Sequence, residues 1–221
     1  HEDAPPGEPG GALAESLDNS PIQIYEYVRN NFEIQPYYGS LKGSTATLWT
    51  GAGNDYDQAS LLIALLRAAD VPARYVVGTV TIPVQQVQDW LGVTDPHVAR
   101  DYLAWPGALI TLRDGTLALQ MEHVWAEAYV PYSNYGGTAI DDSGQVWVPL
   151  DPSFKIKRYQ EGLDLPPDLD FDRDDFLSDV DLYLPSEAYE EQVWAYVRAN
   201  MAGHALSEVA YAGEIIPQVL G

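Results

Sequence analysis

Three titratable side chains stand where this chain can put them to chemical use. Asp55 opens an apolar helical run behind the bend-forming Gly51, Gly53 and Asn54, and an acid there can cap the helix by accepting backbone N–H bonds. The helix dipole also favours a negative charge at that end. His123 lies in a stretch that alternates His123, Trp125, Glu127 and Tyr129 against Glu122, Val124, Ala126, Ala128 and Val130; on a strand the first set shares one face. Asp151 follows the strand-like Gln145 to Leu150, and antiparallel pairing of the two strands can bring it toward His123. An ionised carboxylate can activate water, assist charge build-up at a sugar carbon, or bind a cation or hydroxyl groups. The chain has no cysteine, which excludes both a thiolate nucleophile and a disulfide.

The elements that must position these groups are legible in the spacing. Ala59, Leu62, Ile63, Leu66 and Ala69 recur at three and four, Leu61 and Leu65 widen the face, and the pattern predicts a mostly buried helix from about Tyr56 to Ala69. Asp70 and Pro72 stop it, and Arg74 to Val80 alternates like a strand. Upstream, Ser20 caps a helix with Pro21 in its first position and Ile22, Tyr25 and Val28 on its apolar stripe. The aromatic connector Phe32 to Gly39 follows, in which Tyr37 and Tyr38, with Trp49 beyond it, can line a cleft or pack around the core helix. Residues 83 to 106 read as an insertion with two short helices carrying Trp90, Tyr102 and Trp105, and 108 to 119 as a hairpin turning at Asp114-Gly115.

The run from Gly53-Asn54-Asp55-Tyr56-Asp57-Gln58-Ala59 to Arg67, with Pro72-Ala73-Arg74-Tyr75-Val76-Val77-Gly78 after it, resembles the core motif of the transglutaminase-like superfamily, whose fold is related to papain-like cysteine proteases. Glu122 to Val130 resembles that family's histidine strand and Trp147 to Ser153 its aspartate strand, in the family order. The resemblance covers about residues 20 to 158 and implies an α+β fold, a core helix packed on an antiparallel sheet. It also implies the constellation Asp55, His123 and Asp151. In the family a Cys stands four residues before the small residue, where the helix N-terminus and the His stabilise a thiolate that attacks an acyl carbon, while the Asp orients the imidazole. Here that position is Asp55. A carboxylate is a poor acyl nucleophile, since the anhydride it forms reverses easily, so the family's transamidation is not expected.

The reading favoured by these residues is a hydrolase of altered chemistry. Asp55 is base or nucleophile, a second acid such as Asp151, Glu122 or Glu127 donates a proton, and the substrate is a neutral polysaccharide. Trp49, Tyr56, Trp90, Trp105, Glu122, Trp125 and Glu127 are the candidate substrate-binding residues. The alternative is a non-catalytic transglutaminase-like module that binds peptide or glycan or joins other domains. A third reading has Asp55, Asp57, His123 and Asp151 holding a divalent ion, but no tight spacing supports a metal site, and no cofactor is expected. Beside these stands the plain structural account, with Asp55 only a helix cap and His123 and Asp151 a hydrogen-bonded pair between strands.

Composition narrows the partners. With 33 acidic and 11 basic side chains the net charge is −22, which opposes nucleic-acid binding and favours a soluble protein that repels anionic polymers. No run is long enough for a transmembrane helix, so no membrane insertion is expected, and no signal peptide is expected within this sequence. His1 reads as the start of a mature chain or of an expressed fragment, and the expectation is a secreted or cell-surface protein of bacterial type within a larger multidomain chain. Residues 1–19 are expected as a flexible leader, 20–158 as the core domain, and 159–221 as an acidic loop and helical extension packed on that core. Asp168-x-Asp170-x-Asp172 invites a calcium loop, yet Arg173 stands where that loop needs glycine and Asp179 where it needs Glu, so an acidic surface loop is expected.

Overall fold

Asn54 ends a bend, and the apolar run behind it becomes the central helix. In the computed structural model, which describes residues 8–104, 109–113, 116–131, 144–166, 169, 177, 184–205 and 212–220, this helix spans Asp55–Ala68. Every residue from Asp57 to Leu66 is buried, so it is enclosed on all sides. Each fully buried Leu or Ile there contributes about 1.5–3 kcal/mol of transfer free energy. Its end is set locally: Ala69 N–H turns back to the carbonyls of Leu65 and Leu66, and Asp70 takes a left-handed φ of 58°.

The elements before it are α1 (Glu8–Ser16), α2 (Pro21–Asn31), β1 (Glu33–Ile34), α3 (Gly43–Thr50) and β2 (Ala52–Gly53), and the central helix is α4. Ser20 accepts from Gln23 N–H and caps α2 with Pro21 at its first position. The leader expected over 1–19 contains α1, whose Ala14 is fully buried; Leu13 of this helix and Leu17 just after it pack on the core. Its small and apolar residues give it a face that α4 covers.

After α4 come β3 (Ala73–Pro83), α5 (Val84–Leu91), α6 (Pro96–Ala104), β4 (Leu109–Arg113), β5 (Thr116–Pro131) and β6 (Gln145–Leu150). The two insertion helices stand where the spacing predicts them. β3 pairs antiparallel with β5 from Ala73↔Ala128 to Pro83↔Ala118. β4 pairs with the start of β5, Leu109↔Gln120 to Arg113↔Thr116, and β6 with its end, Ala126↔Leu150 to Pro131↔Gln145. The hairpin residues Asp114 and Gly115 lie outside the described residues.

This pairing has a consequence for the site. Since β3 occupies one edge of β5 along 118–128, β4 and β6 share the other edge, and between Gln120 and Ala126 no described strand covers it. Successive side chains point to opposite faces. Ala73, Ala126 and Ala128 face α4 with Ile24, Val28, Leu62 and Leu65, whereas Ile82, Leu119 and Met121, of the other parity, pack with Val87, Trp90, Leu91 and Leu103 of α5 and α6. His123 has the parity of Leu119 and Met121. It sits where one core ends, the other begins, and the edge of β5 is open.

The remaining elements are β7 (Lys157–Gln160), α7 (Pro185–Asn200) and β8 (Ala212–Ile215), β7 and β8 pairing with each other. The chain divides into two units, His1–Arg158 with Glu214–Gly221, and Tyr159–Gly213. In the first, Gln218 and Asn30 exchange hydrogen bonds, so the last residues return to α2. In the second, Glu187 accepts from the Leu184 N–H at the start of α7, and Val193 and Val197 are buried. Asp168, Asp170 and Asp172 lie outside the described residues.

Candidate functional site

The cap of α4 decides what Asp55 does. Asn54, not Asp55, is the N-cap: its Oδ1 accepts from Asp57 N–H at 2.9 Å, while its amide group donates to the carbonyls of Tyr37 and Gly39 at 3.0 and 2.8 Å. Asp57 anchors the preceding loop, accepting from Tyr37 Oη–H, Ser40 Oγ–H and the N–H groups of Leu41, Lys42 and Gly43 within 2.6–3.2 Å. Burial works against its charge, but these five donors hold its carboxyl below the usual carboxylate range. With both capping tasks taken, Asp55 is spared for the sheet.

Asp55 reaches the open edge of β5. Its Oδ2 accepts from Val124 N–H at 2.8 Å, a donor that no described strand claims, and lies 3.1 Å from His123 Nδ1, close but not aligned as a hydrogen bond. On the far side of the imidazole, Nε2 stands 2.7 Å from Asp151 Oδ2. Asp151 is oriented in turn: its Oδ1 accepts from Ser153 N–H, Ser153 Oγ–H and Phe154 N–H at 3.0, 2.8 and 3.2 Å. The fold therefore brings all three members of the constellation together, in the order Asp55, His123, Asp151.

The charge state follows from this geometry. Ionised carboxylates only accept, so an imidazole between two of them is favoured in the doubly protonated form, with Nε2–H donating to Asp151 and the Nδ1 side facing the charge of Asp55. His123 is almost wholly buried, which opposes its charge, yet the hydrogen bond to Asp151 and the negative charges of Asp151 and Asp55 prevail and push its pKa to about 10. His123 keeps Asp151 below the ordinary carboxylate range, against the effect of burial. The centre is an imidazolium clamped between two carboxylates. Rings hold it from the sides: Trp125 stacks on it at 6.3 Å, and Trp90 meets it edge-on at 6.0 Å.

The other candidate residues divide. Trp125 touches His123, but Trp90 is buried in the second core and donates its indole N–H to Ser153 O at 2.6 Å, so it is a wall of the site and not a surface for substrate. Tyr56 packs on Tyr75 at 5.4 Å, and Glu127 is engaged by Arg74 at 2.7 Å, a cation that also lies over the Trp147 ring at 4.1 Å. Glu122 is exposed on β5, Trp49 is 75% exposed on α3, and Trp105 lies outside the described residues. Beside Asp55, the cleft bounded by Tyr37, Asn54, Trp90 and Met121 has a volume of about 20 Å³, room for about one water molecule.

One polar group escaped notice in the sequence. Lys155 is fully buried, donating to the carbonyl of Phe32 and, at 3.0 Å, to Gln58 Oε1, and burial lowers its pKa to about 7. It ties the segment after Asp151 to the second turn of α4. A lone lysine after an Asp-Pro-Ser turn gives no sign of burial, because the pocket is made by α2, β1 and α4 together.

Neither ion-pair geometry nor fold alone names a lineage. No curated protein matches this chain. Among solved structures, the chain is similar to the periplasmic domain of TgpA from Pseudomonas aeruginosa, a crystal structure bound to ethylmercury, at 20% identity and a TM-score of 0.39, with 66% of this chain and 44% of that one covered. The match thus spans less than half of that protein's chain. The family model of the transglutaminase-like superfamily matches residues 11–152, which include α4, β3, β5, β6 and all three members of the ion triad. The chain belongs to the transglutaminase-like superfamily, with Asp55 where the resemblance calls for the nucleophilic cysteine.

Proposed function

We propose that this chain is a non-catalytic transglutaminase-like module, in which the former reaction centre serves as a structural ion triad. The observation that carries this is the double clamp on His123. An imidazolium whose pKa is raised to about 10 has no lone pair with which to act as a base at neutral pH. Asp55 spends one oxygen on Val124 N–H and the imidazolium, so its charge is already neutralised by a fixed partner. The arrangement repeats the charges of a thiolate–imidazolium pair while replacing the atom that would attack.

The hydrolase reading is less well served. Paired carboxylates of a glycosidase need the sugar between them, and here the imidazole fills the space between Asp55 and Asp151. The cleft beside Asp55, about 20 Å³, has room for about one water molecule and is not shaped as a sugar subsite. Among the described residues no group of three acidic or histidine side chains is placed to hold a metal, and a doubly protonated His123 cannot ligate one. The acidity fits a secreted or surface-exposed part of a larger chain, and no described helix is long and apolar enough to cross a membrane.

The test is a product screen of the wild-type protein and Asp55→Asn against neutral polysaccharides and a panel of peptide amides. Neither protein should release reducing ends, ammonia or new amide bonds. Product formed by the wild type and lost in Asp55→Asn, with an unchanged melting temperature, would overturn the proposal.

A further inference from the structure

Between Ile34 and Asn54 the chain carries no acidic residue, although the whole protein has 33. The same segment exposes three large apolar side chains: Tyr38 at 70%, Leu41 at 72% and Trp49 at 75%. Scattered apolar residues on a surface need no explanation. These are different, because the backbone that bears them is fixed from beneath. Asn54 grips the carbonyls on both sides of Tyr38, and Asp57 takes the N–H of Leu41 and of the two residues after it. Lys42 donates through its ammonium to Gln35 Oε1, Thr50 Oγ1 and Ala52 O at 2.7–2.9 Å, which uses all three protons and joins the loop to the end of α3 beside Trp49. The only charge of the segment is therefore spent on holding it together. A rigid frame that presents Tyr, Leu and Trp to solvent has already met the ordering cost of an interface, and Tyr and Trp are the residues that dominate such interfaces.

We propose that the segment from Tyr38 to Trp49 is a docking surface for a polypeptide whose apolar anchor side chains are set among basic residues. The proposal rests on the reading of this chain as a binding module. Leu41 favours a polypeptide over a glycan, since a sugar face stacks on rings and gains little from an aliphatic tip. Charge decides the flanks: the net −22 attracts a cationic partner and repels an acidic one, while the acid-free segment lets apolar anchors seat without stranding a carboxylate.

The test measures binding of three probes to the wild-type protein: an alternating Leu/Lys peptide, a Ser/Lys peptide of equal length and charge, and a neutral gluco-oligosaccharide. Leu41→Ser and Trp49→Ser change exposed side chains and should leave the melting temperature unchanged. The Leu/Lys peptide should bind at least about tenfold more tightly than the Ser/Lys peptide, and each variant should lose about tenfold or more of that affinity. Equal affinity for the two peptides, equal binding by the variants, no binding of the Leu/Lys peptide, or a preference for the oligosaccharide would overturn it. Mass analysis of the bound peptide separates the two proposals: binding lost in the variants but followed by cleavage or modification of the peptide would sustain the surface and refute the non-catalytic reading.

Discussion

Replacing Asp55 with Cys asks whether the fold still holds a cysteine-protease-like charge arrangement. Position 55 is the first residue of α4, and its carboxylate oxygen lies 3.1 Å from His123 Nδ1. A thiolate there would gain from the imidazolium and from the helix N-terminus. At an effective dielectric of about 20, an opposite charge at that distance is worth about 5 kcal/mol, or roughly three to four pKa units, before burial takes part of it back. A thiol that titrates near 8.5 in water should therefore titrate at about 5 to 6 in Asp55→Cys. The chain has no other cysteine, so iodoacetamide reports on this one site. The midpoint of the alkylation rate against pH is the quantity to read, because a thiolate of lower pKa is intrinsically less nucleophilic and the absolute rate mixes both effects. Thiolate absorbance near 240 nm gives the same midpoint independently. A midpoint at 8 or above in a folded variant would refute the reasoning, since it would mean that no charged imidazole faces position 55.

The pH dependence of stability carries two opposed contributions. His123, raised from 6.5 to about 10, keeps its proton when folded, so its contribution is complete below pH 6.5 and is lost as pH rises through 10. Lys155, lowered from 10.5 to about 7, is neutral in the folded chain where the unfolded chain still binds the proton, so stability rises with pH between those values. Between pH 7 and 10 the two offset, and Lys155→Met should expose a fall of about 1.4 kcal/mol per pH unit in urea unfolding; a flat profile in that variant would count against the clamp on His123. At the acid end, the depressed carboxyls of Asp57 and Asp151 contribute above about pH 4 and lose their contribution as they are protonated, so melting temperature should drop steeply below that point. Asp57→Ala strands five donors at once and should cost about 3 kcal/mol or more in the same unfolding assay, with no change in circular dichroism of the sheet expected until the loop melts.

Much of this was legible in the residues, for physical reasons that differ from element to element. α4 announced itself because its apolar side chains recur at helical spacing and Asp70 and Pro72 end it. β5 was legible in its alternation, and the approach of Asp151 to His123 followed from antiparallel strands once their register was known. The cap was misassigned, since Asn54 and Asp55 are both good caps and only the tertiary demand of Tyr37 and Gly39 on the Asn54 amide selects the first. The burial of α1 and of Lys155 depends on partners far away in sequence, which no local pattern encodes. The open edge of β5 between Gln120 and Ala126 was equally hidden: it arises from where β4 stops and β6 begins, a matter of register that composition does not carry.

The central claim is that His123 is a fixed imidazolium and not a base. Its ring nitrogens, followed by nitrogen-15 NMR from pH 5 to pH 11, test that most directly. Both nitrogens should remain protonated through pH 8, with a midpoint near 10. A midpoint near 6.5, with a neutral ring at pH 8, would contradict the account and return His123 to the list of available general bases.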